Sequence, residues 1–211
     1  KRRRINLIND TFATKPLWFT FENSNFGIAS YESSLNACGF TEVEKMCGNQ
    51  AIEYNLDTFT RIRSITLTRW DLNQHKDTYD DWVTAFENSI RKRTLNTEQG
   101  IFLGLSAGYD SGAITCELTK QDVDFTAYTI LSTENKDVIN NRHKMIVSGD
   151  IIELTQNEYD EFQARLITDC EEFTYTDRFK NYNIKGDKAS VGLSVICDRA
   201  NKNSQKIYFS G

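Results

Sequence analysis

Leu105-Ser106-Ala107-Gly108-Tyr109-Asp110-Ser111-Gly112 stands between the apolar run Ile101-Phe102-Leu103 and a stretch with helical spacing. A turn of small residues between a buried strand and a helix start lets backbone N–H groups converge on one point, where the helix dipole also favours negative charge. This turn adds two hydroxyls, Ser106 and Ser111, and one carboxylate, Asp110. Amides and hydroxyls hold phosphate oxygens, and a carboxylate takes the Mg²⁺ that accompanies a polyphosphate. No lysine lies between Gly100 and Thr119, so the Gly-Lys-Ser/Thr ending of a Walker loop is lacking. The plain alternative is an ordinary strand-to-helix turn in a fold that binds no nucleotide.

Outward from the turn, strands and helices alternate. Trp82, Phe86 and Ile90 recur at four-residue spacing beside Val83, after the N-cap candidates Asp77 and Thr78. That pattern predicts a helix of about fifteen residues ending near Thr94. Strand 101–105, helix 111–120, strand 124–131, a shorter helix near 137–146, strand 151–154, helix 157–170, helix 189–200 and strand 206–210 follow. Such alternation makes an α/β fold with a parallel sheet, whose ligands bind at the carboxyl ends of the strands. The first 68 residues read differently. Leu17–Phe21 and Phe26–Ala29 flank the polar turn Glu22-Asn23-Ser24-Asn25, and Glu53–Asp57 with Thr60–Ile62 repeats the hairpin pattern. One or two helical turns over Ser30–Leu35 lie between them. The expected division is therefore 1–68, antiparallel and β-rich, and 69–211, parallel α/β, with the change falling between Arg63 and Trp70.

The chain has 211 residues, 39% hydrophobic and 26% charged, which suits one or two globular domains. A net charge of −5 speaks against a nucleic-acid partner, because neutralising phosphates takes a clustered positive surface. Lys1-Arg2-Arg3-Arg4 is the one dense basic run and reads as a solvated strand edge or a chain end. Cys38, Cys47, Cys116, Cys170 and Cys197 never fall in Cys-x-x-Cys spacing, so neither a zinc nor a redox motif is supported. With no signal-peptide pattern and no long apolar run, the expected setting is the cytoplasm, away from membranes. His75 and His143 stand in polar surroundings and read as surface residues. Opening on Lys1 and closing on the apolar Ile207-Tyr208-Phe209-Ser210-Gly211, the chain reads as a fragment or one half of a split protein.

The Ser106–Ser111 turn resembles Ser-Gly-Gly-x-Asp-Ser, the pyrophosphate loop of enzymes that split ATP between its α and β phosphates. Ala107 replaces the second small residue, glycine, and Tyr109 fills the variable position, where its ring is expected to cover the helix start. Three further stretches extend the likeness. Asn9-Asp10-Thr11-Phe12-Ala13-Thr14-Lys15-Pro16-Leu17 is similar to Arg-Asp-x-Phe-Gly-x-Lys-Pro-Leu, and Ile28-Ala29-Ser30-Tyr31-Glu32 to an Ala-Ser-Glu segment with one residue inserted. Ala189-Ser190-Val191-Gly192-Leu193 through Arg199, Asn201 and Asn203, then Phe209-Ser210-Gly211, is similar to the helix and strand before a second nucleotide loop. Taken in order, these stretches make the chain resemble glutamine-hydrolysing asparagine synthetases, in which a class II glutamine amidotransferase domain precedes an ATP-pyrophosphatase domain.

That resemblance implies a carbon–nitrogen ligase. ATP and Mg²⁺ adenylate the side-chain carboxylate of aspartate, and ammonia from glutamine displaces AMP. Ser106, Gly108, Asp110 and Ser111 would cradle pyrophosphate, with Asp110 on Mg²⁺. Leu105 and Ile130 would touch adenosine through backbone groups, and Ser210 and Gly211 would open the second ATP loop. The family's glutaminase nucleophile and second acidic loop match no residue of this chain, so no catalytic residue is assigned. The chain alone is expected neither to hydrolyse glutamine nor to complete adenylation. A second polypeptide completing the sites, or a homo-oligomer, are the partners this leaves open. Asn9 and Lys188 stand where relatives carry arginine, and at Lys188 the exchange bears on how an acceptor carboxylate is held. Three alternatives stay open: a degenerate homologue serving as a non-catalytic nucleotide-binding or partner subunit, a relative closing β-lactams, and one closing peptide macrolactams. A tRNA-thiolating enzyme shares the loop but is disfavoured by the β-rich first part, the acidic balance and the lack of paired cysteines.

Overall fold

Alternation of polar and apolar residues builds the first part of the chain, and strand–helix alternation the second. A computed structural model of the protein describes residues 3–73, 75–95, 97–170, 174–176, 181–183, 185 and 187–210. It divides into two units, Lys1–His75 and Lys76–Gly211.

The first unit runs β1 (Arg4–Asn9), β2 (Trp18–Glu22), β3 (Asn25–Ala29), α1 (Glu32–Ala37), β4 (Glu44–Lys45), β5 (Gln50–Asn55) and β6 (Thr60–Thr66). These strands form two antiparallel sheets, ordered β1-β5-β6 and β3-β2-β4. Both expected hairpins are present. The β2–β3 turn closes on Asn23 and Ser24, whose φ values of 51° and 61° are those of a type I′ turn, the form whose twist matches the strands it joins. The first strand went unforeseen. Arg-Ile-Asn-Leu-Ile-Asn alternates, but the basic run before it masks the pattern. Arg4 in fact opens an edge strand paired with β5 from Arg4↔Asn55 to Asn9↔Gln50. Leu7 of β1, Phe19 of β2, Met46, and Ile52 and Tyr54 of β5 make the unit's core, with the Phe21 and Tyr54 rings 4.6 Å apart.

The second unit runs α2 (Asp80–Thr94), β7 (Gly100–Gly104), α3 (Tyr109–Lys120), β8 (Phe125–Ile130), α4 (Lys136–His143), β9 (Gly149–Ile152), α5 (Gln156–Asp169), β10 (Thr174–Thr176), β11 (Asn181–Asn183), α6 (Lys188–Lys202) and β12 (Gln205–Phe209). Four strands form a parallel sheet ordered β12-β7-β8-β9. The small β10–β11 hairpin was not expected. Chain direction across the sheet matters for function. From β7 the chain steps to β8 and β9, then returns past β7 to lay down β12 on its other side. Side chains alternate across β7. Ile101, Leu103 and Leu105 pack with Ile90 of α2 and Ile114 and Leu118 of α3. Phe102 faces the opposite layer, with Val195, Ile196 and Ala200 of α6 and Phe162 of α5. Helices thus cover both faces, and the fold is mixed α/β.

The start of α2 differs from expectation. Its N-cap is Tyr79, with no side-chain cap, so neither Asp77 nor Thr78 takes that place. The Thr78 hydroxyl instead donates to the Asp80 carboxylate at 2.9 Å. Of the apolar stripe only Ile90 is buried, while Trp82 stacks on Phe86 at the surface.

Glu53 is the one buried carboxylate of the first unit's described residues. It accepts from Arg4 Nη1 at 2.9 Å and Arg63 Nε at 2.7 Å. Those hydrogen bonds hold its pKa below the ordinary value of 4.5. A carboxyl depressed in the folded state contributes stability above its unfolded pKa and loses it as pH falls through the folded value. Glu53→Gln is therefore expected to flatten the acid limb of the first unit's stability curve below about pH 4.5, read by urea unfolding at stepped pH. An unchanged acid limb would show that the two arginines do not act on it.

Candidate functional site

At the end of β7 the chain is still sheet-bonded for one residue. The Leu105 N–H donates to the Tyr128 carbonyl at 2.8 Å, and the Leu105 carbonyl accepts from Thr129 Oγ1 at 2.7 Å. The backbone then leaves the sheet and turns back at Gly108, the N-cap of α3, which carries no side-chain cap. The turn is cross-tied by its own hydroxyls. Ser106 and Ser111 Oγ lie 2.8 Å apart. The Ser106 N–H donates to Ser111 Oγ at 3.1 Å, and the Gly108 N–H to Ser106 Oγ at 3.1 Å. The remaining amide, that of Ala107, donates at 2.7 Å to Oε2 of Glu134, from the turn between β8 and α4. Asp110, in the first turn of α3, is exposed and has no side-chain partner among the described residues.

The turn is braced from α4. Asn135 caps that helix, accepting from the Asp137 and Val138 amides. Arg142 Nη1 then donates to the Ser106 carbonyl and, at 2.7 Å, to the Gly108 carbonyl. No carboxylate pairs with Arg142 among the described residues, so its charge is spent on the turn. Gly112 makes room for it: a Cβ there would lie 2.7 Å from Arg142 Nη2. The next residue, His143, places Nε2 2.8 Å from Thr129 Oγ1. Since Thr129 gives its hydrogen to Leu105, the imidazole donates through Nε2. Burial pushes the His143 pKa down, against the pull of Asp150. The ring is thus neutral near pH 7 and half-buried, where the sequence suggested a surface residue.

The structure brings several of the expected site residues together. Leu105, Ser106 and Ile130 wall a cleft of about 360 Å³ with Lys188, Gly192 and Tyr208. Gly192 lets α6 approach, since a Cβ there would stand 3.3 Å from Ile130 Cγ1. Phe209 pairs with Leu103, so Ser210 follows at the carboxyl edge beside Gly104. Burial raises the Tyr208 pKa, opposed by its hydrogen bond with Ser210. Gly108, Asp110 and Ser111 stand at the helix start rather than in the cleft wall, and Gly211 lies outside the described residues. Tyr109 is 92% exposed, so its ring leaves the helix start uncovered. It borders a separate hollow of about 590 Å³ along α3 and α4.

No protein-family model matches the chain, and no curated protein matches it. Function therefore rests on the site itself.

Two features suit a polyphosphate. Small residues, two hydroxyls and a helix start meet at the end of β7, where the winding of the sheet reverses, and open α/β sheets bind ligands at such reversals. Mg²⁺ fits as a phosphate-borne ion. Among the described residues no group of three His, Cys, Asp or Glu could hold a metal and no side chain pairs with Asp110, but Mg²⁺ bound to phosphates needs only one or two carboxylates. Sequence reading missed Glu134, Arg142 and His143. The one local hint was Gly112, since a glycine inside a helix costs about 1 kcal/mol against alanine and marks a close approach.

A double-mutant cycle tests that approach. In the parent chain Gly112→Ala drives the guanidinium off both carbonyls and is expected to lower stability despite the better helix former. In an Arg142→Ala background the same change is expected to raise stability by up to about 1 kcal/mol. Urea unfolding of the four proteins reads the sign; the same sign in both backgrounds would refute the contact.

Proposed function

We propose that the protein is an ATP-dependent amide-forming ligase of the asparagine synthetase kind. Its second unit, an ATP-pyrophosphatase domain, joins the side-chain carboxylate of aspartate to AMP with release of pyrophosphate. Ammonia drawn from glutamine then displaces AMP, giving asparagine. The first unit is the closing part of an amidotransferase domain. The setting proposed is the cytoplasm; no helix among the described residues is long and apolar enough to cross a membrane.

One observation supports this reading above the rest. The Ser106–Ser111 turn and Ser210 stand side by side on β7 and β12, the two strands between which the chain reverses direction. A free carboxylate is a poor electrophile, and linking it to AMP supplies a good leaving group. The chain's residues serve that step by position and charge. The hydroxyls of Ser106 and Ser111 and the amides of Ala107 and Gly108 take phosphate oxygens in exchange for their present bonds. Leu105 and Ile130 flank the adenosine side, where the Leu105 N–H is already committed to Tyr128 and its carbonyl keeps one free lone pair. Asp110 would hold the Mg²⁺ that accompanies the phosphates, and that ion would neutralise their charge. Lys188, first residue of α6 and part of the same cleft wall, offers a cation to the acceptor carboxylate.

Titration calorimetry with Mg·ATP and aspartate-dependent ATP–pyrophosphate exchange test the reading. The parent chain is expected to bind Mg·ATP. Exchange is read in the enzyme with its sites complete. There Asp110→Ala is expected to abolish exchange, and Ser106→Ala to weaken it about a hundredfold, the usual scale for one lost charge-stabilising donor. Parent-like exchange in Asp110→Ala would end the assignment. Binding without exchange in the complete enzyme would leave a nucleotide-binding subunit.

A further inference from the structure

The Ser106–Ala107 peptide is gripped on both sides. Its carbonyl accepts from the Arg142 guanidinium, and its N–H donates to the Glu134 carboxylate at 2.7 Å. A trans peptide points these two groups in opposite directions, and a cation on the oxygen polarises the amide into a stronger donor. Arg142 thus prepares the Ala107 N–H to receive an anion, and an anion is there already. Glu134 is half-buried in the β8–α4 turn and walls the same cleft as Ser106 and Lys188. No cation pairs with it among the described residues. Among the described residues the Ala107 amide is its one hydrogen-bond partner, and a carboxylate oxygen on an amide is the nearest side-chain likeness of a phosphate oxygen on that amide.

We propose that Glu134 is a resident competitor for the phosphate position of the Ser106–Ser111 turn, holding the Ala107 amide until an incoming polyphosphate displaces it. The proposal rests on the nucleotide reading above and assigns its regulation. Binding then reports the intrinsic affinity reduced by the fraction of chains in which the amide is free. A ligand making many contacts, such as a magnesium-bound polyphosphate, overcomes that reduction. Orthophosphate, with few contacts, does not. The same factor lowers both affinities, so orthophosphate falls below binding at concentrations where a polyphosphate still binds.

Glu134→Ala and Glu134→Gln are compared with the parent chain in two measurements. Calorimetry with magnesium pyrophosphate and with orthophosphate gives the affinities. Nitrogen–proton correlation spectra give the Ala107 amide resonance, which reports the contact without any ligand. Glu134→Ala is expected to bind pyrophosphate about tenfold more tightly, a change of about 1.4 kcal/mol. Glu134→Gln, which keeps an acceptor but no charge, is expected to fall between. The Ala107 resonance should shift in both variants, and in the parent chain on saturation with pyrophosphate. Unchanged or weaker pyrophosphate binding in Glu134→Ala, with Mg·ATP still bound by the parent chain, would overturn the competitor and leave the nucleotide reading standing. Absence of phosphate or ATP binding in all three proteins would overturn both, even with the amide shifted.

Discussion

A single guanidinium holds the carbonyls of Ser106 and Gly108, and the chemistry proposed for this chain depends on that hold. Backbone carbonyls at the end of a parallel strand have lost their neighbours, and left unpaired they would compete for the same space as a phosphate. Arg142 takes two of them at once. Planarity of the peptide then carries the constraint through to the amide side, so fixing the Ser106 oxygen also aims the Ala107 nitrogen. The cost of the arrangement is visible in α3. A glycine sits at position 112, inside a helix that would be better served by alanine, because the guanidinium occupies the space of a side chain. His143 adds a second tie through Thr129 to the Leu105 carbonyl. Two successive residues of α4 therefore brace the carbonyls of Leu105, Ser106 and Gly108 in one turn.

How far the sequence could foretell this follows from the range of each interaction. The β2–β3 hairpin was legible because Asn23-Ser24 is a local turn signal that acts within four residues. The run from β7 into α3 was legible for the same reason: apolar strand, small residues, helix spacing. The site's braces were not. Glu134 reaches Ala107 across 27 positions and Arg142 reaches Ser106 across 36, and nothing near either residue advertises the contact. None of the four stretches that carry the family resemblance falls within residues 132–188, and both braces come from the first dozen positions of that span. β1 was hidden for another reason, since its alternation is only six residues long and abuts a basic run. The stripe of α2 was legible in part. Ile90 is buried and Phe86 packs against the same core, whereas Trp82 satisfies the helical period but lies exposed, stacked on Phe86.

The stretches that carry the family resemblance do unlike work. Along Asn9–Leu17 the matching residues are architecture. The Asp10 carboxylate accepts from the Phe12 amide at 2.9 Å and from the Thr14 amide at 3.0 Å, which holds its pKa low. Buried Asn9 donates to the Met46 carbonyl at 3.2 Å. The Asp10 carboxylate, the Thr14 hydroxyl and the Asn9 amide are thus spent in shaping that turn, and an asparagine meets the need where the family it resembles carries arginine. In the Ser106–Ser111 turn the balance is reversed. There the hydroxyls bond chiefly to one another and to the turn's own amides, a weak neutral network that a charged ligand can replace with stronger bonds. Asp110 at the helix start has no side-chain partner among the described residues. A segment whose polar groups are all committed to itself tolerates substitution that preserves shape, whereas one held by exchangeable bonds is constrained by what it binds. By that criterion Ala107 is the informative departure. Its methyl changes little in the backbone, while its N–H is the amide of the turn against which the chain has set a carboxylate of its own.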